Sequence, residues 1–285
     1  MRIDLHCHSN HSDGAHPPAA VVRTAVAEGV DVLALSDHDS LTGIAEARRE
    51  AQGLGIRLLG GVELTTHRAG EDIHVLGLFL EPGNDGLEGY LEARRSERRD
   101  RVHRIAERLA KVGVRFDPDE VLRNAAGESI GRPHIARALV EAKVVGSIDE
   151  AFDRYLANDK PGYVPNRAPD PSDGIRAILG AGGVPVLAHP VLYKGKDLIP
   201  SLAEAGLVGL EVYHPDQAGR EAEFRRKARE HRLIQSGGSD YHGHSERRYF
   251  APGRFTCPVE SFNEMEARAR PIAASPSARA AGGGA

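Results

Sequence analysis

Residues 1–40, MRIDLHCHSNHSDGAHPPAAVVRTAVAEGVDVLALSDHDS, decide the fold. Residues 3–7 are a short strand-like run, and His6 and His8 lie two apart, so both imidazoles leave the strand tip on one face. Residues 17–28 follow as a helix, with proline in the first turn, where its missing N–H does no harm, and Gly29 closing it. Residues 31–36, DVLALS, are an apolar run suited to a strand buried on both faces. Strand, helix, strand is the unit that builds parallel sheets.

The same alternation continues outward. Residues 41–54 read as a helix, and 57–64 and 72–80 as strands. Strands are expected again at 184–188, 207–213 and 233–236, with helices at 171–179, 197–205 and 216–231. Seven strands alternating with helices predict an α/β fold, a parallel and closed or nearly closed barrel. Residues 87–168 break the rhythm. They read as helices at 87–112, 118–124, 133–144 and 148–158, with a short strand at most at 162–164. The expected organisation is therefore a barrel from 1–86 and 169–270, a helical insertion over its mouth at 87–168, and a disordered tail at 271–285, which is too small and polar to order itself.

The 285 residues are 40% hydrophobic and 27% charged, with a net charge of −4, so nothing in the bulk composition marks a DNA-reading protein. Six arginines, Arg94, Arg95, Arg98, Arg99, Arg101 and Arg104, crowd one helix but are interleaved with Glu92, Glu97 and Asp100, which reads as a solvated charged face. Cys7 and Cys257 make no disulfide framework, and Cys7, between the two histidines, should point to the opposite face as a small buried side chain. No run is apolar enough for a membrane and no leader is evident, so a cytoplasmic protein without an obligate protein partner is expected.

Functional groups in parallel α/β barrels gather where the strands end. Here those positions carry His6, His8 and Asp13; Asp37, His38 and Asp39; Glu63; His189; His214; and Asp240 with His242. His74 lies near the start of its strand and joins them if that strand runs the other way. So many ionisable groups cannot be buried together without a compensating cation. A nitrogen and oxygen set lacking thiolate suits manganese, iron or zinc, and its size calls for more than one ion.

Together DLHCHSNHSDG, LSDHDS, GVEL, the histidine of DIHVLG, AHP and GSDYHG resemble the PHP (polymerase and histidinol phosphatase) family, in order, over residues 1–80 and 180–245. The resemblance implies a distorted (β/α)7 barrel and three divalent ions, manganese first, with iron or zinc as alternatives. It implies that His6, His8, Glu63 and Asp240 hold one ion. Glu63 would bridge to a second ion bound by His74 and His189, and Asp13, His38 and His242 would hold the third.

Such a centre lowers the pKa of a water and clamps attacked and leaving oxygens, and its concentrated positive charge favours a dianionic phosphate monoester over a neutral amide. Phosphoester hydrolysis by metal-bound hydroxide attack at phosphorus is the expectation. Asp37 and His214 are the nearest candidates to protonate the leaving alkoxide, although Asp37 reads equally as a residue that orients a ligand histidine. The segment GRPHIARAL opens a helix where free N–H groups and an arginine meet. It resembles the equivalent part of PHP proteins acting on nucleoside 3′,5′-bisphosphates and the 5′ ends of short RNA. By that resemblance Arg132, then His134, would hold a second phosphate. Histidinol-phosphate phosphatase and a non-catalytic metal- or nucleotide-binding module are the alternatives. Against the first stands the GRPH insertion, and against the second the intact ligand set.

Overall fold

Residues 32–35 (VLAL) are buried along their whole length, and the sheet grows on both sides of them. The computed structural model describes residues 1–269 except 126, 128, 195–196 and 244–249. The disordered tail expected at 271–285 lies outside the described residues. Seven strands pair in chain order: β1 (Ile3–Asp4), β2 (Val32–Leu35), β3 (Arg57–Arg68), β4 (Glu71–Leu78), β5 (Val184–Leu187), β6 (Gly209–Tyr213) and β7 (Ile234–Gly237). The first and last edges meet: Leu5 N–H donates to Gly237 O at 3.2 Å, His8 N–H donates to Tyr241 O at 2.8 Å, and Cys7 bridges to Tyr241. The sheet is a nearly closed barrel.

It is not all parallel, as the alternation alone predicted. β4 runs antiparallel to β3 and to β5. Only Ala69 and Gly70 separate β3 from β4, both with positive φ, which is the two-residue hairpin geometry, and a parallel return would need a crossover of a dozen residues or more. The hairpin also carries β3 four residues beyond the expected end at 64.

Alternation along the strands sorts the core. Leu33 and Leu35 pack outward on Val21, Val22 and Ala25 of α1 (Pro18–Ala27) and Ala47 and Ala51 of α2 (Ile44–Leu54). Val32 and Ala34, on the other face, join Leu59, Leu76, Val186 and Ile234 inside the barrel. That interior is plugged by Phe262 and Met265 of a helix at Val259–Arg268, which the sequence reading did not anticipate. The central helices α3 (Asp85–Ala110), α4 (Pro118–Asn124), α5 (Arg132–Glu141) and α6 (Ile148–Ala151), the last running on into a π turn, share a core of their own around Ile105, Leu109, Ile135, Leu139 and Leu156.

α7 (Pro171–Gly180), α8 (Ile199–Glu204) and α9 (Glu221–Glu230) complete the outer layer, and α10 is the plug at Val259–Arg268. Three expectations change. Residues 162–164 form no strand. The helix expected over 216–231 is divided into a 3₁₀ turn at Pro215–Gln217 and α9, with Gly219 at φ 85° between them. The arginines of α3 are not a solvated face: Arg94 and Arg95 are buried, and Arg98 pairs with the fully buried Asp39 at 2.7 Å.

Asp170 ties the layers together at the start of α7. It accepts from Ser172 N–H at 2.9 Å and takes two hydrogen bonds from the Arg68 guanidinium of β3, which hold its carboxyl down at about 2. Asp170→Ala is expected to lower stability by about 1–2 kcal/mol, the range for a lost helix cap, the ion pair adding little because both groups are partly exposed. A carboxyl with depressed folded-state pKa stabilises above its unfolded value of 3.8 and loses that contribution as pH falls towards 2. Chemical denaturation should therefore show a wild-type advantage that is constant from pH 5 to 8 and shrinks below about pH 4.

Candidate metal centre

Glu63, 1% exposed on β3, has five imidazoles around its carboxylate. Its Oε2 lies 3.2 Å from His6 Nε2, 3.1 Å from His8 Nε2 and 3.3 Å from His38 Nδ1. Its Oε1 lies 2.8 Å from His74 Nδ1 and 3.0 Å from His189 Nε2. Strand direction produces this convergence. β1, β2 and β3 are parallel, so their ends present His6, His8, His38 and Glu63 together, and residues 38 and 63 even form a bridge. The reversed β4 pairs His74 with Thr65, which brings His74 to the same rim.

Asp240 faces the cluster from beyond β7, with Oδ1 3.3 Å from His6 Nε2 and 3.2 Å from His8 Nε2, and Oδ2 3.4 Å from His214 Nε2. Asp13 lies 3.2 Å from His242 Nε2 and 3.9 Å from His38 Nε2. All nine expected ligands thus meet. Their donor atoms group as His6, His8, Glu63 and Asp240; as His38, Glu63 and His74; and as His8, Asp13, His38 and His242, within 4.8 Å in each group. His189 joins through Glu63. Two of the contributors, His189 (φ 26°) and Asp240 (φ 50°), hold left-handed backbone conformations that are uncommon for residues other than glycine.

The protonation of this cluster is uneven. Burial opposes ionisation of Glu63, but His38, His6 and His74 beside it hold its carboxyl well below the usual range. Asp240 is likewise held down against burial by His6 and His242, and Asp13 by His242 and His38. Burial disfavours a charged His8, yet Asp240 and Glu63 raise it to about 10, while burial pushes His38 down to about 3. Buried ring nitrogens His8 Nε2, His38 Nδ1 and His214 Nε2 make no hydrogen bond, which is an unstable state for polar atoms in an interior. Divalent cations fit this donor set, because each would neutralise carboxylates and take up the lone pairs of His8 Nε2 and His38 Nδ1 at once.

Hydrogen bonds at the far ring nitrogens orient the candidate ligands. His6 Nδ1–H donates to Glu211 at 3.0 Å, and His242 Nδ1–H donates to the Asp240 carbonyl at 2.8 Å, so in both rings Nε2 offers its lone pair to the centre. His8 Nδ1 lies 3.5 Å from Ser12 Oγ, which donates to Asp37 at 2.7 Å. Asp37 also accepts from Ser9 N–H and Oγ at 2.7 and 2.6 Å, so it holds the loop after β1. In His214 the pattern is reversed: Nδ1 accepts from Asp216 N–H at 3.1 Å, which leaves the proton of the neutral ring on Nε2, facing Asp240. Arg132 opens α5 and donates to Leu156 O at 3.2 Å; His134 Nδ1 accepts from Gly131 N–H at 3.2 Å.

Three residues that hold the candidate ligands, Glu211 and Asp4 buried and Tyr193 partly buried, were not assigned that role from the sequence. Glu211 accepts from His6 Nδ1–H and, at 2.7 Å, from the backbone of His189. Tyr193 OH accepts from His74 N–H at 2.9 Å, donates to Ala188 O at 3.0 Å and lies 3.4 Å from His189 Nδ1. Asp4 accepts from the backbone of His6, Ser239 and Gly253 at 3.2, 3.0 and 2.7 Å, tying β1 to the loops after β7. A charge inside an apolar strand, as in GLEVY, was the available signal for Glu211. Tyr193 carried none.

Residues 4–157 match the PHP domain, and the chain belongs to that family. It is 37% identical over 247 residues to a 5′-3′ exoribonuclease of Haemophilus influenzae, covering 85% of this chain and 90% of that one. It is 35% identical over 277 residues to a 3′,5′-nucleoside bisphosphate phosphatase of Chromobacterium violaceum, covering 95% and 94%. The solved structure of an amidohydrolase from C. violaceum, with bound sulfate and no metal, superposes with a TM-score of 0.85 at 35% identity, covering 94% of this chain and 97% of that one.

Glu211→Ala should weaken divalent-ion binding by about 10–100-fold, the usual effect of losing a residue that orients a ligand from behind. Calorimetric titration of the metal-stripped protein with Mn²⁺ measures it; unchanged affinity would contradict the orienting role.

Proposed function

We propose that this PHP-domain chain is a metal-dependent phosphoesterase that removes phosphate from nucleotides such as nucleoside 3′,5′-bisphosphates. The observation that carries the reading is the division of Glu63. One oxygen faces His6 and His8, the other His74 and His189, as a carboxylate bridging two cations requires. In this reading His6, His8, Glu63 and Asp240 hold the first ion, Glu63, His74 and His189 the second, and Asp13, His38 and His242 the third. Manganese is the first choice, ahead of iron and zinc. Bound ions of this kind would activate water at neutral pH and stabilise charge on a phosphoryl group.

The chain's own residues then have separate tasks. His214, with its proton held on Nε2, is placed to give that proton to the leaving oxygen. Asp37 acts through Ser12 on His8, so we assign it to positioning rather than proton transfer. His134, kept neutral by burial and by Arg137, with a pKa near 4, has Nε2–H as a donor, and Arg132 adds a guanidinium; both suit a second phosphate. We further assign residues 87–168 to a lid over the barrel mouth, residues 1–86 and 169–270 to the barrel, and, from the unpaired Cys7 and Cys257, the protein to a reducing cytoplasm. The exoribonuclease relative favours a second substrate at the same centre, the 5′ end of short RNA.

Metal-loaded protein should release phosphate from adenosine 3′,5′-bisphosphate faster than from histidinol phosphate. The opposite order would overturn the substrate class, and inactivity on every phosphoester the reaction class. Asp13→Ala and His242→Ala should each lose one ion per chain in elemental analysis, whereas full retention would remove the third site.

A further inference from the structure

Arg98 of α3 joins the helical insertion to the barrel rim at three points. Its Nε–H donates to Asp39 Oδ2 at 2.7 Å, Nη2–H donates to Thr65 Oγ1 at 2.6 Å, and Nη1–H donates to Ile130 O at 3.4 Å. The first two partners belong to the rim. The third immediately precedes Gly131, which caps α5. The Arg98 side chain is 11% exposed and that of Asp39 not at all, so salt and water screen this pair little.

Asp39 passes the grip on to the candidate ligands beside it. It follows His38 directly in the chain. Its N–H donates to Glu63 O at 3.0 Å and its Oδ1 accepts from Thr65 N–H at 2.9 Å, so it clasps β3 on both sides of Glu63. Glu63 has other support, because β4 pairs with β3 residue by residue from Gly61 to Arg68. His38 lies outside any such ladder. β2 ends at Leu35, and residue 38 reaches the sheet through an isolated bridge to Glu63. The pull of Arg98 on Asp39 therefore bears on His38 more than on Glu63.

The insertion also touches the loop after β1. Gly127, between α4 and α5, lies so close to the His11 backbone that a Cβ there would collide with the His11 carbonyl. His11 is two residues from Asp13, and Asp13 Oδ2 lies 3.9 Å from His38 Nε2. The two contacts thus converge on Asp13 and His38, which with His242 hold the third ion in the reading above.

We propose that the helical insertion is part of the third ion's binding site, with Arg98 as the residue that positions His38 through Asp39. The proposal rests on the three-ion reading of the centre and deepens it. The third ion binds only as tightly as the insertion is docked, and by linkage its arrival holds the insertion in place. The other two ions share Glu63, which the sheet secures, and depend on the insertion far less.

Metal-stripped full-length protein is titrated calorimetrically with Mn²⁺, and the step missing from Asp13→Ala marks the third ion. Arg98→Met should weaken that step about tenfold or more, the effect of losing a group that orients a ligand from behind, and leave the other steps within about twofold. Arg98→Lys, which keeps a charge beside Asp39 without the planar fork, should recover part of the loss. Amide exchange in α5 should slow when the third step is filled in wild type, and much less in Arg98→Met. Equal weakening of all steps would make Arg98 a general support of the rim. An unchanged third step, or α5 exchange indifferent to the third ion in wild type, would uncouple the insertion from the metals; any of these overturns the proposal. Should Arg98→Met not fold, the same outcomes are read on Gly127→Ala, which leaves the Arg98–Asp39 pair in place. If Asp13→Ala loses no ion, the three-ion reading itself fails and the proposal with it. If Asp13→Ala loses an ion that Arg98→Met binds with wild-type affinity, the proposal alone fails.

Discussion

Everything at the barrel rim is organised around one buried carboxylate that must serve both of its oxygens. Glu63 faces imidazoles on each oxygen, and these come from four different strand ends or their loops. A single carboxylate can be reached from so many directions only if the strands converge, which a twisted, closing sheet achieves and a flat one does not. The same demand accounts for the reversal of β4. Only a strand that enters the rim by its N-terminal half can bring His74 to Glu63 Oε1.

Holding these groups together requires a second layer as buried as the first. Glu211, Tyr193, Asp4 and Asp37 are each largely buried and each spends its hydrogen bonds on a ligand ring, a ligand backbone or the loop that carries one. They turn the rings so that lone pairs face inward at His6 and His242, while at His214 a proton does. Whether a ring presents a lone pair or a proton to the cluster therefore lies in the partner of its far nitrogen, not in the residue type. The left-handed backbones at His189 and Asp240 fit the same view, since strain persists where surrounding bonds over-determine it.

The helical layer adds a different kind of chemistry. Its inward face is cationic where the barrel rim is anionic, with Arg98 paired to Asp39 and Arg101 and Arg132 near Asp72.

The residues that cluster at the rim were readable in the chain, because HxH, SDHDS, GVEL, AHP and GSDYHG are local patterns of ionisable groups in or just after strands. So was the alternation of strands and helices, since hydrophobic periodicity is a local property. Tertiary structure alone decided three things. The hairpin at Ala69–Gly70 overruled the parallel expectation, because strand direction depends on what connects two strands. Arg94 and Arg95 of α3, a helix whose composition resembles any exposed charged one, were buried by what packs against them. Glu211 and Tyr193 became orienting residues only through contacts made by residues far apart in the chain, with His6 lying 205 positions from Glu211. Which residues gather at the rim follows from residue type and spacing; which way each proton and lone pair points is a long-range property, set when the strands close on one another.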